Sequence, residues 1–327
     1  VLLVDAPPGG PRPPARTWCF WEEPGGGYDS VLTAGWDRLR VHGGDGRPVL
    51  ARIAPLRYKM LRSPDFERLV AARLATAPWI RRVEASVTEV RDDAGGALVR
   101  GTTAAGGAAA WRTRWAFDSR PPSALPRART TLLQHFRGWF VRAGTPVFDP
   151  AVADLMDFRT PQPPHGLSFG YVLPLDDRTA LVEYTEFSPA VLDDAGYEAA
   201  LRHYTRDVLG LPQLRILSTE QGVIPMTDGR FPRRAGASVF RIGAAGGATR
   251  PATGYTFAAV QRQAAGVAAA LAAGRDPVPA RLPGPRAGDG RRAAAGAGHR
   301  PGGRRRLLHP AVRPCPGRAA AALPGRP

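Results

Sequence analysis

The stretch ALVEYTEFS, residues 180–188, sets two acids, Glu183 and Glu186, among the β-branched, aromatic and aliphatic residues of a β-strand. Strand side chains alternate between faces, so Glu183 shares one face with Leu181, Thr185 and Phe187, and Glu186 the other with Val182 and Tyr184. A carboxyl group held against apolar neighbours resists ionisation and keeps its proton to higher pH, which suits it to giving that proton away. A second stretch, RIGAAGGATRPATGYTFAAVQRQ (241–263), runs from a strand into a turn dense in glycine, with a helix expected to begin near Thr253. Glycines let a backbone approach a ligand closely, and a helix N-terminus offers N–H groups to anionic oxygens. A third candidate is Asp5, which ends the short apolar strand VLLVDA. An acid there either hydrogen-bonds the ribose of a dinucleotide or caps a turn.

Elements must position these groups. Ser63 followed by Pro64 reads as a helix start, with Phe66, Leu69, Val70 and Leu74 on one face. SVTEV and ALVRGTT read as a hairpin around residues 92–96. RWAFDSRPP ends a strand. From TTLLQHFRGWFVRAG (130–144) to RILSTEQGVIPM (215–226) the strands are longer and more aromatic, as expected of a sheet in a second domain. Between them Tyr197, Leu201, Tyr204 and Val208 form the apolar stripe of a helix closed by Gly210.

The chain has 327 residues, 43% of them hydrophobic, enough for more than one domain. No run approaches the roughly 20 apolar residues of a membrane span. The start has no basic region before its apolar run, so no leader is expected and the expected location is cytoplasmic. Two cysteines, Cys19 and Cys315, and six scattered histidines exclude a disulfide framework and a metal site. The net charge of +17 is unevenly spread: residues 276–327 hold 11 Arg and 2 Asp, more than half the imbalance. This Arg-, Pro-, Gly- and Ala-rich tail is expected to be disordered, and its mixture is that of a GC-rich gene read out of frame. Codons for residues 307–316 can be chosen whose one-base shift yields an amphipathic segment. A nucleic-acid-binding reading rests almost wholly on this tail, so nucleic acid is not the expected partner.

The segments RTWCFWE (16–22), FDSRP (117–121), LQHFRGWFV (133–141), LMDFR (155–159), FGYVLPLDDRTALVEYTEFS (169–188), EQGVIPMTD (220–228) and RIGAAGGATRPATGYTF (241–257) occur in an order that resembles bacterial flavoprotein lycopene β-cyclases. The resemblance covers residues 1 to about 275. It implies an α/β fold: an FAD/NAD(P)-binding Rossmann-like domain, interrupted by a mixed or antiparallel sheet that holds the substrate. The expected division is 1–62, 63–129 and 219–275 for the FAD domain, 130–218 for the substrate domain and 276–327 for the tail. The family's N-terminal glycine fingerprint and C-terminal helical segment are absent from the chain, which is expected of a late start codon at Val1 and a shifted frame at the other end.

The implied reaction is the non-redox closure of lycopene ends into the β-rings of γ- and β-carotene. A proton adds to the terminal double bond, a neighbouring double bond attacks the cation, and a proton leaves the ring. Glu183 matches the first acid of the family's strand motif and is the expected catalytic residue; Glu186 is expected to be solvated or paired. FAD is implied in reduced form, with NADPH as reductant, held by Asp5, Gly243, Ala244, Ala245, Gly246, Gly247, Thr253 and Gly254. Trp18, Phe20, Trp21, Trp139, Phe140 and Tyr184 are expected either to line the polyene channel or to pack the core. Arg137, Arg159 and Arg250 either meet flavin phosphates or pair with acids. Because lycopene resides in membranes, peripheral contact with the inner face of the membrane is expected. The alternatives are another FAD-dependent isoprenoid oxidoreductase or hydroxylase, and an inactive truncated cyclase.

Overall fold

The computed structural model describes residues 1–7 and 14–282; most of the basic tail, 283–327, lies outside them. In chain order the strands and helices are β1 (Leu2–Asp5), β2 (Thr17–Glu22), β3 (Ala34–Trp36), β4 (Arg38–His42), β5 (Pro48–Arg52), β6 (Arg57–Arg62), α1 (Ser63–Ala75), β7 (Arg81–Asp93), β8 (Gly96–Thr103), β9 (Ala108–Thr113) and β10 (Ala116–Asp118). They continue with β11 (Thr131–Ala143), β12 (Val152–Asp157), β13 (Leu167–Pro174), β14 (Thr179–Ser188), α2 (Asp194–His203), β15 (Leu214–Thr227), β16 (Val239–Arg241) and α3 (Phe257–Ala272).

A seven-stranded mixed sheet, ordered β15-β11-β14-β13-β12-β4-β5, dominates the molecule. Strands β13 and β14 are buried on both faces, which is why β13 reads as a near-continuous hydrophobic run. One face packs under α2, where Tyr197, Leu201 and Tyr204 meet Trp139, Val182 and Tyr184. The other packs against the small antiparallel sheet β2-β6-β3, joining Phe140, Tyr171 and Leu181 to Trp36, Tyr58 and Met60. A four-stranded sheet β1-β7-β8-β9, with β1 parallel to β7, and a parallel pair β10-β16 complete the α/β part.

Four sequence expectations need correction. Ser63 begins α1 but does not cap it: Arg62 occupies the cap position, and the Ser63 hydroxyl instead accepts the Arg16 N–H at 3.1 Å, tying β2 to the helix. Strands β4 and β5 belong to the large sheet, because β4 supplies β12 with a parallel neighbour, so residues 1–62 are not wholly part of the cofactor domain. The boundary expected between residues 218 and 219 falls inside β15, which pairs with β11 along its length. Residues 276–280 are held rather than free: Asp276 pairs with Arg234 at 2.7 Å, and the carbonyls of Pro279 and Ala280 accept bonds from Arg233 and Gln263.

Candidate active site

Every residue of β14 is buried except Glu183, which keeps partial accessibility. The register places it in a row across the large sheet. Tyr171 on β13 pairs with Glu183, Glu183 with Gly138 on β11, and Gly138 with Glu220 on β15. Gly138 puts no side chain into that row. A Cβ built on it would lie 2.8 Å from Leu181 Cδ1, 3.4 Å from Glu220 Cγ and 3.6 Å from Glu183 Cβ, so the two acids flank one position that only the end of the Leu181 side chain approaches.

The small sheet closes the site from above. Alternation along β2 turns Thr17, Cys19 and Trp21 toward Glu183, while Tyr58 comes from β6 and Tyr255 from the loop before α3. Thr185 donates to Glu183 Oε1 at 2.8 Å, Thr17 donates to Glu220 Oε2 at 2.7 Å, and the Tyr58 and Tyr255 hydroxyls share a bond of 3.1 Å. Desolvation, reinforced by the negative charge of Glu220 and opposed by the Thr185 hydroxyl, raises the Glu183 carboxyl to about 8. Burial also raises Glu220, against the Thr17 bond and the Arg62 guanidinium. The same burial pushes the Cys19 thiol, Tyr171 and Tyr255 well up, so all three stay neutral and Cys19 is no thiolate nucleophile. The arrangement can hold a proton next to an apolar ligand.

Glu186 lies on the opposite face. It is buried, accepts from the Tyr184 hydroxyl at 3.0 Å and stands 3.8 Å from His135 Nε2. Ser188 donates to the Ala190 carbonyl, so its oxygen accepts from His135 Nε2, and His135 Nδ1 accepts from Tyr197 at 2.7 Å. Burial keeps that imidazole neutral. Glu186 is therefore paired within the core and not solvated.

Of the six aromatics expected at a channel, Trp21 and Phe140 belong to the cluster that faces Glu183. Trp21 packs on Tyr58 and Tyr255 with centroids 4.7 and 4.8 Å apart, and the Arg62 guanidinium lies 4.6 Å from the Phe140 ring. Trp18 and Phe20 point to the far side of the small sheet, against Phe66 and Phe257. Trp139 and Tyr184 lie beneath α2 with Glu186. These four do not share a wall with Glu183, because neighbouring residues of a strand face opposite ways. Arg137 and Arg159 pair with Asp194 and Asp157. Glu220 escaped the sequence reading, although a lone acid in a strand beside aliphatic residues was the same signal that singled out Glu183.

The glycine stretch differs from expectation. Residues Gly243–Gly246 form a 3-10 turn, and α3 starts at Phe257, four residues beyond Thr253. The turn spends N–H groups on itself and its neighbours: Gly243 donates to Gln263, Gly246 to Ile242, Gly247 to Ala244 and Ala248 to Gly243. Ala245 is buried and Ala244 exposed. Nearer Glu183 is the tight loop in which Gly254 donates to the Arg250 carbonyl at 2.9 Å with a φ of 69°. A Cβ on Gly254 would collide with the Gln134 amide. Gln134 Oε1 and Thr253 Oγ1 are both buried without a partner. Gln134 lies four residues along β11 from Gly138 on the same face, roughly 13 Å at strand spacing. Asp5, at the end of β1, accepts from Arg82 at 2.6 Å.

Among the described residues no group of three or more His, Cys, Asp or Glu is placed to hold a metal, and no helix is long and apolar enough to cross a membrane. The fold is similar to that of a geranylgeranyl bacteriochlorophyll reductase-like protein from Thermoplasma acidophilum (TM-score 0.59, 16% identity, 75% of this chain and 64% of that one). It is also similar to p-nitrophenol 4-monooxygenase from Pseudomonas putida (0.60, 15%, 84% and 74%) and to a flavoprotein/dehydrogenase from Cytophaga hutchinsonii (0.54, 11%, 74% and 63%). The chain thus spans just under two thirds of the first of these proteins. Comparison with curated proteins gave no match. The family model described as lycopene cyclase protein matches residues 1–306. With that match over nearly the whole sequence, on a fold shared with a flavoprotein, the chain belongs to the lycopene cyclase family.

Proposed function

We propose that this protein closes the ends of lycopene into β-rings by acid catalysis, giving γ- and then β-carotene, with Glu183 as the proton donor. The observation that carries this reading is the placement of Glu183, partly accessible in a strand otherwise buried and bonded, among the described residues, only by the Thr185 hydroxyl, where burial pushes its carboxyl up to about 8. Each unit of such a rise is worth ~1.4 kcal/mol of preference for the neutral form. At neutral pH the acid is therefore loaded, and the apolar walls that keep it so also exclude the water that would quench a carbocation. Trp21, Phe140 and Tyr171 supply rings on the same side, and a π face steadies positive charge.

FAD fits the residues beside this site: the orphaned Gln134 Oε1 and Thr253 Oγ1, both buried, await polar partners. Gly243–Gly247 would hold more of the cofactor, through glycine surfaces more than through free N–H groups, and Asp5 its ribose. Reduced by NADPH, FAD supplies negative charge close to the cation without net redox change. Ile216, Leu217 and Val223 are exposed on β15, the edge strand that carries Glu220, and support peripheral contact with the cytoplasmic face of a membrane.

Expression in lycopene-producing bacteria tests this. β-Carotene is expected from the protein and lycopene alone from Glu183→Gln. NADPH use matched to a reduced or hydroxylated carotenoid would instead identify an oxidoreductase.

A further inference from the structure

Residues 215–219 and 221 of β15 are exposed, yet Glu220 between them is buried and turns inward. An acid on an edge strand has water available on one side, so its burial asks for a reason. Its neighbour in the row is Gly138, and beyond Gly138 stands Glu183. Because Gly138 has no side chain, only the flexible end of Leu181 reaches the position between the two acids on this face.

Burial raises both acids, but their surroundings support a negative charge unequally. Glu220 faces the Thr17 hydroxyl from β2, which donates to it, and the Arg62 guanidinium from β6, both of which stabilise a carboxylate. Glu183 faces neutral Thr185, Cys19, Tyr171 and Tyr255, together with the negative charge of Glu220 itself. Of two acids in one site, the one with donors for its charge is placed to accept a proton and the other to give one.

We propose that Glu220 is the general base of the cyclisation, taking the proton that leaves the ring after Glu183 has given one to the chain end. This rests on the reading of Glu183 as the acid. The Glu183 O–H bond breaks as a C–H bond forms at the terminal double bond. The electron pair of the neighbouring double bond makes the ring C–C bond and leaves a cation at its far carbon. A C–H bond adjacent to that cation breaks, its electron pair becomes the ring double bond, and its proton forms an O–H bond on Glu220. No electrons enter or leave. Return of the proton from Glu220 to Glu183 restores the starting pair.

The test is turnover of lycopene in deuterated water by the flavin-loaded protein. Glu220→Gln protein that unfolds at the wild-type temperature is expected to form β-rings about 10²-fold more slowly or worse. Its recovered lycopene or minor ring isomers should carry deuterium, since the first protonation still occurs and the cation must lose another proton. Wild-type β-ring formation, or recovered lycopene free of deuterium, would overturn the proposal. Glu183→Gln should give neither ring nor label; label there would overturn the reading of Glu183 and not that of Glu220. Thr17→Val, which removes the hydroxyl donor without touching Glu183, should move the acid limb of the kcat/KM profile to higher pH. An unmoved limb would contradict a base role.

Discussion

Strand β14 carries one glutamate on each face of the large sheet, Glu183 and Glu186, three residues apart, and the two faces treat them in opposite ways. Under α2, Glu186 is enclosed in a network with Tyr184, His135, Ser188 and Tyr197 in which donors and acceptors are matched. Facing β2 and β6, Glu183 has one hydroxyl donor, a second acid across a glycine and partial access to space. The satisfied acid fixes a helix to a sheet; the under-satisfied one retains a proton to spend on a ligand. Polar burial by itself therefore does not mark a site. What marks it is polarity left incomplete on a partly accessible residue.

The strongest way to break this contrast is to exchange the two outcomes. Glu183→Gln is expected to lower β-ring formation by about 10²- to 10⁴-fold with little change in stability. Glu186→Ala, which strands the Tyr184 hydroxyl, should cost about 1–3 kcal/mol in denaturant unfolding and leave turnover per folded molecule within a few-fold. Equal inactivation by both would erase the distinction.

Glycine substitutions sharpen it. A Cβ on Gly170 would collide with the Tyr204 ring, so Gly170→Ala should destabilise the α2 face by about 1–3 kcal/mol. A Cβ on Gly138 would meet the end of the Leu181 side chain at 2.8 Å, which can shift, while filling the space between Glu183 and Glu220. Gly138→Ala should therefore unfold close to the wild-type temperature and lose roughly tenfold or more in rate.

The pH dependence separates the faces more gently. The folded Glu183 pKa of about 8 lies above its ordinary value of 4.5, so between these limits the folded state binds the proton that the unfolded state has lost. Stability contributed by this group is complete below 4.5 and declines as pH rises through about 8, and activity should fall through the same upper limit. Burial raises Glu220 with the same sign. Glu183→Gln should flatten the decline of melting temperature with pH, whereas Glu186→Ala should leave its slope in place. The smallest contrast is between two tryptophans: Trp21→Leu should raise KM for lycopene several-fold, and Trp139→Phe should leave KM unchanged.

Much of the site was legible where local periodicity sufficed. Alternation in ALVEYTEFS separates Glu183 from Glu186 correctly, and the stripe Tyr197, Leu201, Tyr204 is the buried side of α2 and of the helical turn that follows it. Alternation groups residues without saying which group meets a ligand, so it leaves open whether Trp139 and Tyr184 line a channel or pack the core; they pack the core on the face of Glu186. Glu220 became visible only through pairing across β11, a relation between residues 82 positions apart. The start of α3 was displaced because the Arg250–Tyr255 turn closes on itself first, and the allegiance of β4 and β5 depends on a partner, β12, more than a hundred residues later.

The central claim is that Glu183 holds its proton at neutral pH while lying within reach of a hydrocarbon. Isotope-edited infrared spectroscopy of glutamate-labelled protein reads this directly as the stretch of a protonated carboxyl group. A band that persists at neutral pH, fades as pH rises through about 8 and is missing from Glu183→Gln is expected. A wild-type spectrum at neutral pH that matches Glu183→Gln in the protonated-carboxyl region would contradict it.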